Sequence, residues 1–121
     1  MSVECSVRAD LRATVLVVRL AGEMDHDSAV FFHQHLRQEI TRAQRHVVLD
    51  LSGVSFCDSS GMNELITAWR QAADHSFQLI LACVPSALQR VLSLTGVGQL
   101  LHAYDTVTEA ETALTAGHNP P

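Results

Sequence analysis

The run Val15-Leu16-Val17-Val18-Arg19-Leu20 is β-branched and almost wholly apolar, which suits a strand covered on both faces. Val47 to Leu51 and Leu79 to Cys83 have the same character. A weaker strand is expected around Leu100 to Ala103, and an edge strand within Val3 to Arg8. Between these runs the apolar positions change period. From Asp27 to Ala43, Ala29, Phe32, Leu36, Ile40 and Ala43 recur every three or four residues with His33, Arg37 and Arg42 between them, which predicts an amphipathic helix. Met62, Leu65, Ile66, Trp69 and Ala73 form a second stripe, starting after Ser59-Ser60-Gly61 and ending near Asp74-His75. A third helix is expected to open with Pro85 as its first residue, carry Leu88, Val91 and Leu92, and stop at Gly96. A fourth should run from Val107 to Ala116 behind a Thr106-x-x-Glu109 capping box.

The order is strand, strand, helix, then strand and helix in alternation, which favours an α/β sheet. Right-handed crossovers make the Val15 and Val47 strands parallel. Open α/β sheets carry their sites beyond the carboxyl ends of the strands. Two segments are expected to leave the sheet there: Gly22 to Asp27, and Val54 to Gly61.

Composition narrows the function. The 121 residues, 47% apolar and 17% charged, suit one compact domain. Eight basic residues, all arginine, stand against thirteen acidic ones, a net charge of −5, which is the wrong sign for a nucleic-acid binder. The absence of lysine has no functional explanation. No apolar run approaches the roughly 20 residues that span a bilayer, and Glu4 stands where a signal peptide would be basic. A cytoplasmic protein is expected. Cys5, Cys57 and Cys83 form no Cys-x-x-Cys pair and read as reduced, mostly buried thiols.

Asp58-Ser59-Ser60-Gly61 reads first as a helix start, because Ser and Asp oxygens accept bonds from the unpaired amides of a first turn. A phosphate on the Ser60 hydroxyl would also find free amides and the positive end of the helix dipole there. The acidic residues Glu23, Asp25 and Asp27 read as a solvated loop, with Asp27 as a helix cap; the oxygen-rich loop pattern of a calcium site is missing. His33-x-His35 would point roughly 200° apart on a helix, a poor chelate. A serine hydrolase would need a base beside Ser60, yet no Gly-x-Ser-x-Gly elbow surrounds it. Gly96-Val97-Gly98 follows a helix and reads as a stop and a turn, and a Walker lysine cannot exist in a chain without lysine. Neither a metal nor a cofactor is expected.

The stretch from Val47 to Gly61, ending Phe56-Cys57-Asp58-Ser59-Ser60-Gly61, resembles the signature of the bacterial anti-sigma factor antagonists, the STAS domains. Gly22-Glu23-Met24-Asp25 is similar to that family's Gly-Glu-Leu-Asp element, and Leu92-Ser93-Leu94-Thr95-Gly96 to its later helix end. The resemblance implies an α/β STAS domain over residues 1–116. Its sheet would be mostly parallel, four- to five-stranded, with an antiparallel N-terminal edge strand and about four helices. A disordered tail, 117–121, would follow.

The resemblance also implies a function. The second serine of the core, Ser60, would be the phosphoacceptor, with Asp25, Asp58, Ser59, Gly61 and Met62 around the partner-contact surface. The unphosphorylated form would bind an anti-sigma factor with serine kinase activity and release the sigma factor; phosphorylation would end binding and a phosphoserine phosphatase would reset the cycle. ATP chemistry would belong to the partner. Asn63 stands where many relatives have glycine and Met62 where they commonly have leucine, which bears on partner choice. Two other readings stay open: an unmodified STAS scaffold of a stress-signalling or lipid-transport complex, and a small serine hydrolase.

Overall fold

A computed structural model of the chain describes residues 5–12 and 14–115. Five strands form one sheet in sequence order: β1 (Ser6–Leu11), β2 (Val15–Met24), β3 (His46–Cys57), β4 (Leu79–Ala82) and β5 (Ala103–Tyr104). β1 pairs antiparallel with β2, and the remaining neighbours are parallel. Four helices complete the fold: α1 (Ala29–Ala43), α2 (Ser59–Asp74), α3 (Ser86–Thr95) and α4 (Val107–Thr115). The expected edge-strand residues Val3 and Glu4, the last residue of the expected fourth helix, Ala116, and the tail 117–121 lie outside the described residues.

The apolar runs are covered on both faces. Leu16, Val18 and Leu20 of β2 and Val47, Leu49 and Leu51 of β3 join a core with Phe32, Leu36 and Ile40 of α1, Leu65 and Ala68 of α2, and Leu88 and Leu92 of α3. Val15, Val17, Val48, Ile80 and Ala82 face the other way, against Ala110 and Leu114 of α4. A fully buried side chain such as Phe32 contributes about 1.5–3 kcal/mol from removal of its surface from water. This packing fixes where the carboxyl ends of β2 and β3 emerge.

Several expected boundaries move, each for a physical reason. β2 and β3 run on past Leu20 and Leu51, so Gly22 to Met24 and Val54 to Cys57 are paired strand, not exit loop. The extension passes through two register shifts, and Gly22 absorbs one of them at φ 104°, a backbone that favours glycine. β4 stops at Ala82 because Cys83 turns to φ 56°. Pro85 precedes α3 instead of opening it: at ψ 148° its backbone is extended, and its carbonyl accepts the bond from Gln89 N–H at 2.9 Å. β5 lies later than expected because Ala103 and Tyr104, not Leu100 to His102, align with Leu81 and Ala82. Gly96 ends α3 at φ 78° as expected.

Candidate functional site

The carboxyl ends of β2 and β3 meet at one corner of the sheet, with Met24 paired to Cys57. Asp58 N–H donates to the Met24 carbonyl at 3.1 Å, which ties the start of α2 to the end of β2. Asp58 is the N-cap of α2. Its Oδ1 accepts from Ser60 N–H at 2.8 Å and from Gly61 N–H at 3.1 Å. The helix-start reading of the sequence therefore holds, and two of the amides expected to be free for a phosphate at Ser60, those of Ser60 and Gly61, are already taken by Asp58. α2 also begins earlier than its apolar stripe suggests, at Ser59, because the cap organises the first turn. Replacing Asp58 by Ala should cost about 1 kcal/mol of stability, whereas Asp58→Asn should be nearly neutral, since both are strong caps. Urea denaturation of the two variants is the check; equal midpoints would remove the capping role.

Ser60 is half-buried, and its hydroxyl makes no hydrogen bond among the described residues, to a histidine or otherwise. Ser59 is exposed. Gly61 and Met62 are buried, Met62 retaining 7% exposure, so both shape the corner from beneath. A Cβ on Gly61 would run into the Met24 carbonyl, and would lie 2.7 Å from Met24 Cβ and 2.9 Å from Cys57 Sγ. Only glycine permits this approach of α2 to the sheet.

Asp25 lies one residue past Met24 and is committed to its own turn. Its Oδ1 accepts from Ser28 N–H at 3.0 Å, while Ser28 Oγ accepts from Asp25 N–H at 3.0 Å and donates to the Glu23 carbonyl at 2.6 Å. The helix after this turn is headed by Ser28, so the expectation that Asp27 caps it is corrected: α1 starts at Ala29 and Asp27 is exposed. Glu23, Asp25 and Asp58 thus stand at the same two strand ends, with the backbone geometry held by reciprocal side-chain bonds.

The exposure of one member of this corner carries no signal in the periodicity of the sequence. Phe56 is 52% exposed although it is large and apolar. With Val91 of α3 and Cys57 it lines a groove of about 230 Å³, which continues past Cys57 into one of about 430 Å³ bounded by Asp58, Ser59, Met62, Asn63 and Thr95. A cavity of about 450 Å³ between α3 and β5, lined by Gln89, Ser93, Tyr104 and Asp105, shares no residue with this corner.

The Cys57 thiol is pushed up to about 11, first by burial and then by the Asp58 carboxylate. It is therefore protonated at neutral pH and weakly nucleophilic. The sign for stability follows: the unfolded chain loses this proton nearer 9, so the contribution of Cys57 is intact below pH 9 and falls as pH rises toward 11. Alkylation of native Cys57 by iodoacetamide should be slow at pH 7.5 and should rise until about pH 11, followed by peptide mass spectrometry. A plateau by pH 9 would contradict this environment.

His33 and His35 diverge as the helix geometry requires. His33 Nδ1 pairs with Glu64 Oε1 of α2 at 2.8 Å, and His35 Nδ1 bonds the Phe31 carbonyl at 2.8 Å. Among the described residues no cluster of three metal-ligating side chains occurs, and no helix is long and apolar enough to cross a membrane.

A five-stranded mixed sheet with an antiparallel first edge, four helices, and a capped Asp-Ser-Ser-Gly helix start beside the second strand define a STAS domain, and the STAS domain family matches residues 6–110. The chain belongs to that family, among the anti-sigma factor antagonists. An anti-sigma F factor antagonist of Paenibacillus polymyxa is 30% identical over 101 residues, covering 83% of this chain and 86% of that protein. The crystal structure of an anti-sigma factor antagonist from Mycobacterium paratuberculosis superposes with a TM-score of 0.83 at 24% identity, covering 95% of this chain and 99% of the other. The Bacillus cell fate determinant SpoIIAA in its phosphorylated form superposes at 0.66 with 21% identity, over 88% and 96% of the two chains.

Proposed function

We infer that this chain is the switch component of a partner-switching pair. Unphosphorylated, it binds an anti-sigma factor that has serine kinase activity and so releases a sigma factor. Transfer of a phosphoryl group to Ser60 ends that binding, and a phosphoserine phosphatase restores it. The pair would work in the cytoplasm, and the chain would need no cofactor, since ATP is bound by the kinase. Asp25, Asp58, Ser59, Gly61 and Met62 would form or underlie the contact surface.

The observation that carries this reading is the setting of Ser60. Its hydroxyl is unspent, belongs to the second residue of a capped helix, and neighbours Asp58 and Ser59, which border an apolar groove that meets, at Cys57, the one lined by exposed Phe56. A partner can cover such a corner when it is neutral at Ser60. The membership of a phosphorylated protein in the same fold supports the reading that STAS domains accept the modification.

The test uses Ser60→Ala and wild-type protein as baits in extract of the source cells, followed by incubation of each recovered complex with ATP. The expected result is an ATP-dependent gain of one phosphate at Ser60 in the wild type, with release of the captured kinase, and a stable complex for Ser60→Ala. Recovery of the same partners by both baits, with no phosphate on Ser60 after ATP, would instead favour the scaffold reading. A serine-directed covalent probe that labels Ser60 would favour a hydrolase.

A further inference from the structure

β1 is the outermost strand of the sheet: β2 occupies one side, and among the described residues no strand pairs with the other. Such an edge is a template for another strand unless it is blocked. The register tells which backbone groups it offers. Arg12 N–H donates to the Val15 carbonyl at 2.9 Å, so these two form a hydrogen-bonded pair. Bonded and non-bonded pairs alternate along an antiparallel ladder. Asp10 with Val17, Arg8 with Arg19 and Ser6 with Ala21 are then bonded pairs, and the N–H and C=O groups of Val7, Ala9 and Leu11 point away from β2.

The side chains divide the same way. Val7 packs against the core beneath α1 and α2, so Ala9 and Leu11 share that face while Arg8 and Asp10 lie on the other. Leu11 is left 59% exposed. Arg8 sits directly opposite Arg19, an unfavourable pairing of like charges, and neither is in an ion pair among the described residues.

We propose that β1 pairs antiparallel with β1 of a second copy of this chain, about a two-fold axis through Ala9, to give one continuous sheet across a closed dimer. The segment Val7-Arg8-Ala9-Asp10-Leu11 is complementary to its own reversal. Val7 meets Leu11 of the second copy on the core side, Arg8 meets Asp10 on the opposite face, and Ala9 meets itself. A two-fold through Ala9 joins the outward groups of Val7, Ala9 and Leu11 in roughly six inter-chain hydrogen bonds. An axis through Arg8 or Asp10 would also join outward groups, but it would set Arg8 against Arg8, or Asp10 against Asp10, of the second copy, and only the axis through Ala9 sets Arg8 against Asp10. The pairing also gives Arg8 a carboxylate on the side away from Arg19. Asp10 is held at 3.3 Å by Arg12 in an exposed pair, and Arg12 keeps Glu111 at 2.8 Å when Asp10 turns to the second copy. The interface is isologous and closes at two copies. It does not depend on phosphorylation, because β2 separates β1 from the β3 end that carries Asp58 and Ser60.

Sedimentation equilibrium of the full chain from about 1 to 500 μM tests this, in low and high salt. Wild type should show a monomer–dimer equilibrium that weakens with salt. Arg8→Asp sets a carboxylate against Asp10 in both symmetric contacts and should raise the dimer dissociation constant by about tenfold or more. It also places an acid opposite Arg19, so the monomer should melt no lower than wild type. The exchanged variant Arg8→Asp/Asp10→Arg restores opposite charges and should recover the dimer. Amide exchange at Val7, Ala9 and Leu11 should slow with protein concentration. A wild type that stays monomeric at 500 μM, or an association unchanged by Arg8→Asp, would overturn the proposal.

Discussion

Phosphorylation of Ser60 should lower affinity for the captured kinase by roughly a hundredfold, about 3 kcal/mol, while leaving the fold of this domain in place. A phosphoserine adds about −1.5 to −2 charge. At Ser60 that charge arrives where Asp58 Oδ1 already holds the Ser60 and Gly61 amides. The helix end can neutralise one anion well, and here two must share it. In the free protein water screens the surplus. Under a docked partner it is desolvated beside Asp58, so the cost falls mainly on the complex. Isothermal titration of the phosphorylated and unphosphorylated forms with the purified partner measures the loss, and amide NMR spectra of the free forms test the fold. Shifts confined to the β2 end, the first turns of α2 and the adjoining groove are expected. Equal affinities, or a spectrum rearranged throughout α2, would reject exclusion by local charge.

Removing Asp58 separates the two contributions. Asp58→Asn keeps a capping oxygen without the charge, so phosphorylated Asp58→Asn should recover part of the lost affinity. If the recovery is absent, the phosphate acts through contacts with the partner alone, without help from its neighbour.

What the sequence made legible was what depends on periodicity. The stripe through Phe32, Leu36 and Ile40 faces the sheet, and the runs at Val15, Val47 and Leu79 are its buried centre. Of the stripe expected in α2, Met62 and Leu65 are buried, but Ala68 and Ala72 complete that face, while Ile66 and Trp69 are only partly buried and Ala73 is exposed. The boundaries were harder, because they depend on partners distant in the chain. Gly22 to Met24 read as a loop by composition, yet Met24 is fully buried and its carbonyl receives Asp58 N–H. Nothing local to Gly22 announces the pairing with Val54. At the site, the residues Asp58 to Gly61 stood out as a helix start, but local reading could not decide which oxygen caps. Ser28, not Asp27, heads α1 because Asp25 and Ser28 bond reciprocally across their turn. The exposure of Phe56 was hidden as well, since alternation along β3 breaks at the register shifts near its end.

Gly61→Ala should destabilise the domain by about 1–3 kcal/mol, opposite in sign to what helix propensity alone would give. In an exposed helix interior the change from Gly to Ala is worth about 1 kcal/mol in favour of Ala. Gly61 is buried in the first turn of α2, where its missing Cβ lets the helix lie against the end of β2. The added methyl would meet the Met24 carbonyl, Met24 Cβ at 2.7 Å and Cys57 Sγ at 2.9 Å. The sulfur can move; the carbonyl cannot, because it is part of β2 and accepts the bond from Asp58 N–H. Relief therefore requires α2 to shift outward, which loosens that bond and lifts Met62 and Leu65 from the core. A double variant with Cys57→Ala removes one of the three obstructions and should regain only a fraction of the loss. Guanidinium denaturation of the single and double variants gives both quantities. Because the shift also displaces Ser60 relative to Asp25, the single variant should bind the kinase more weakly even at temperatures where it remains folded. A Gly61→Ala protein with unchanged or higher stability would mean that α2 meets β2 without the close approach that holds Ser60 at this corner.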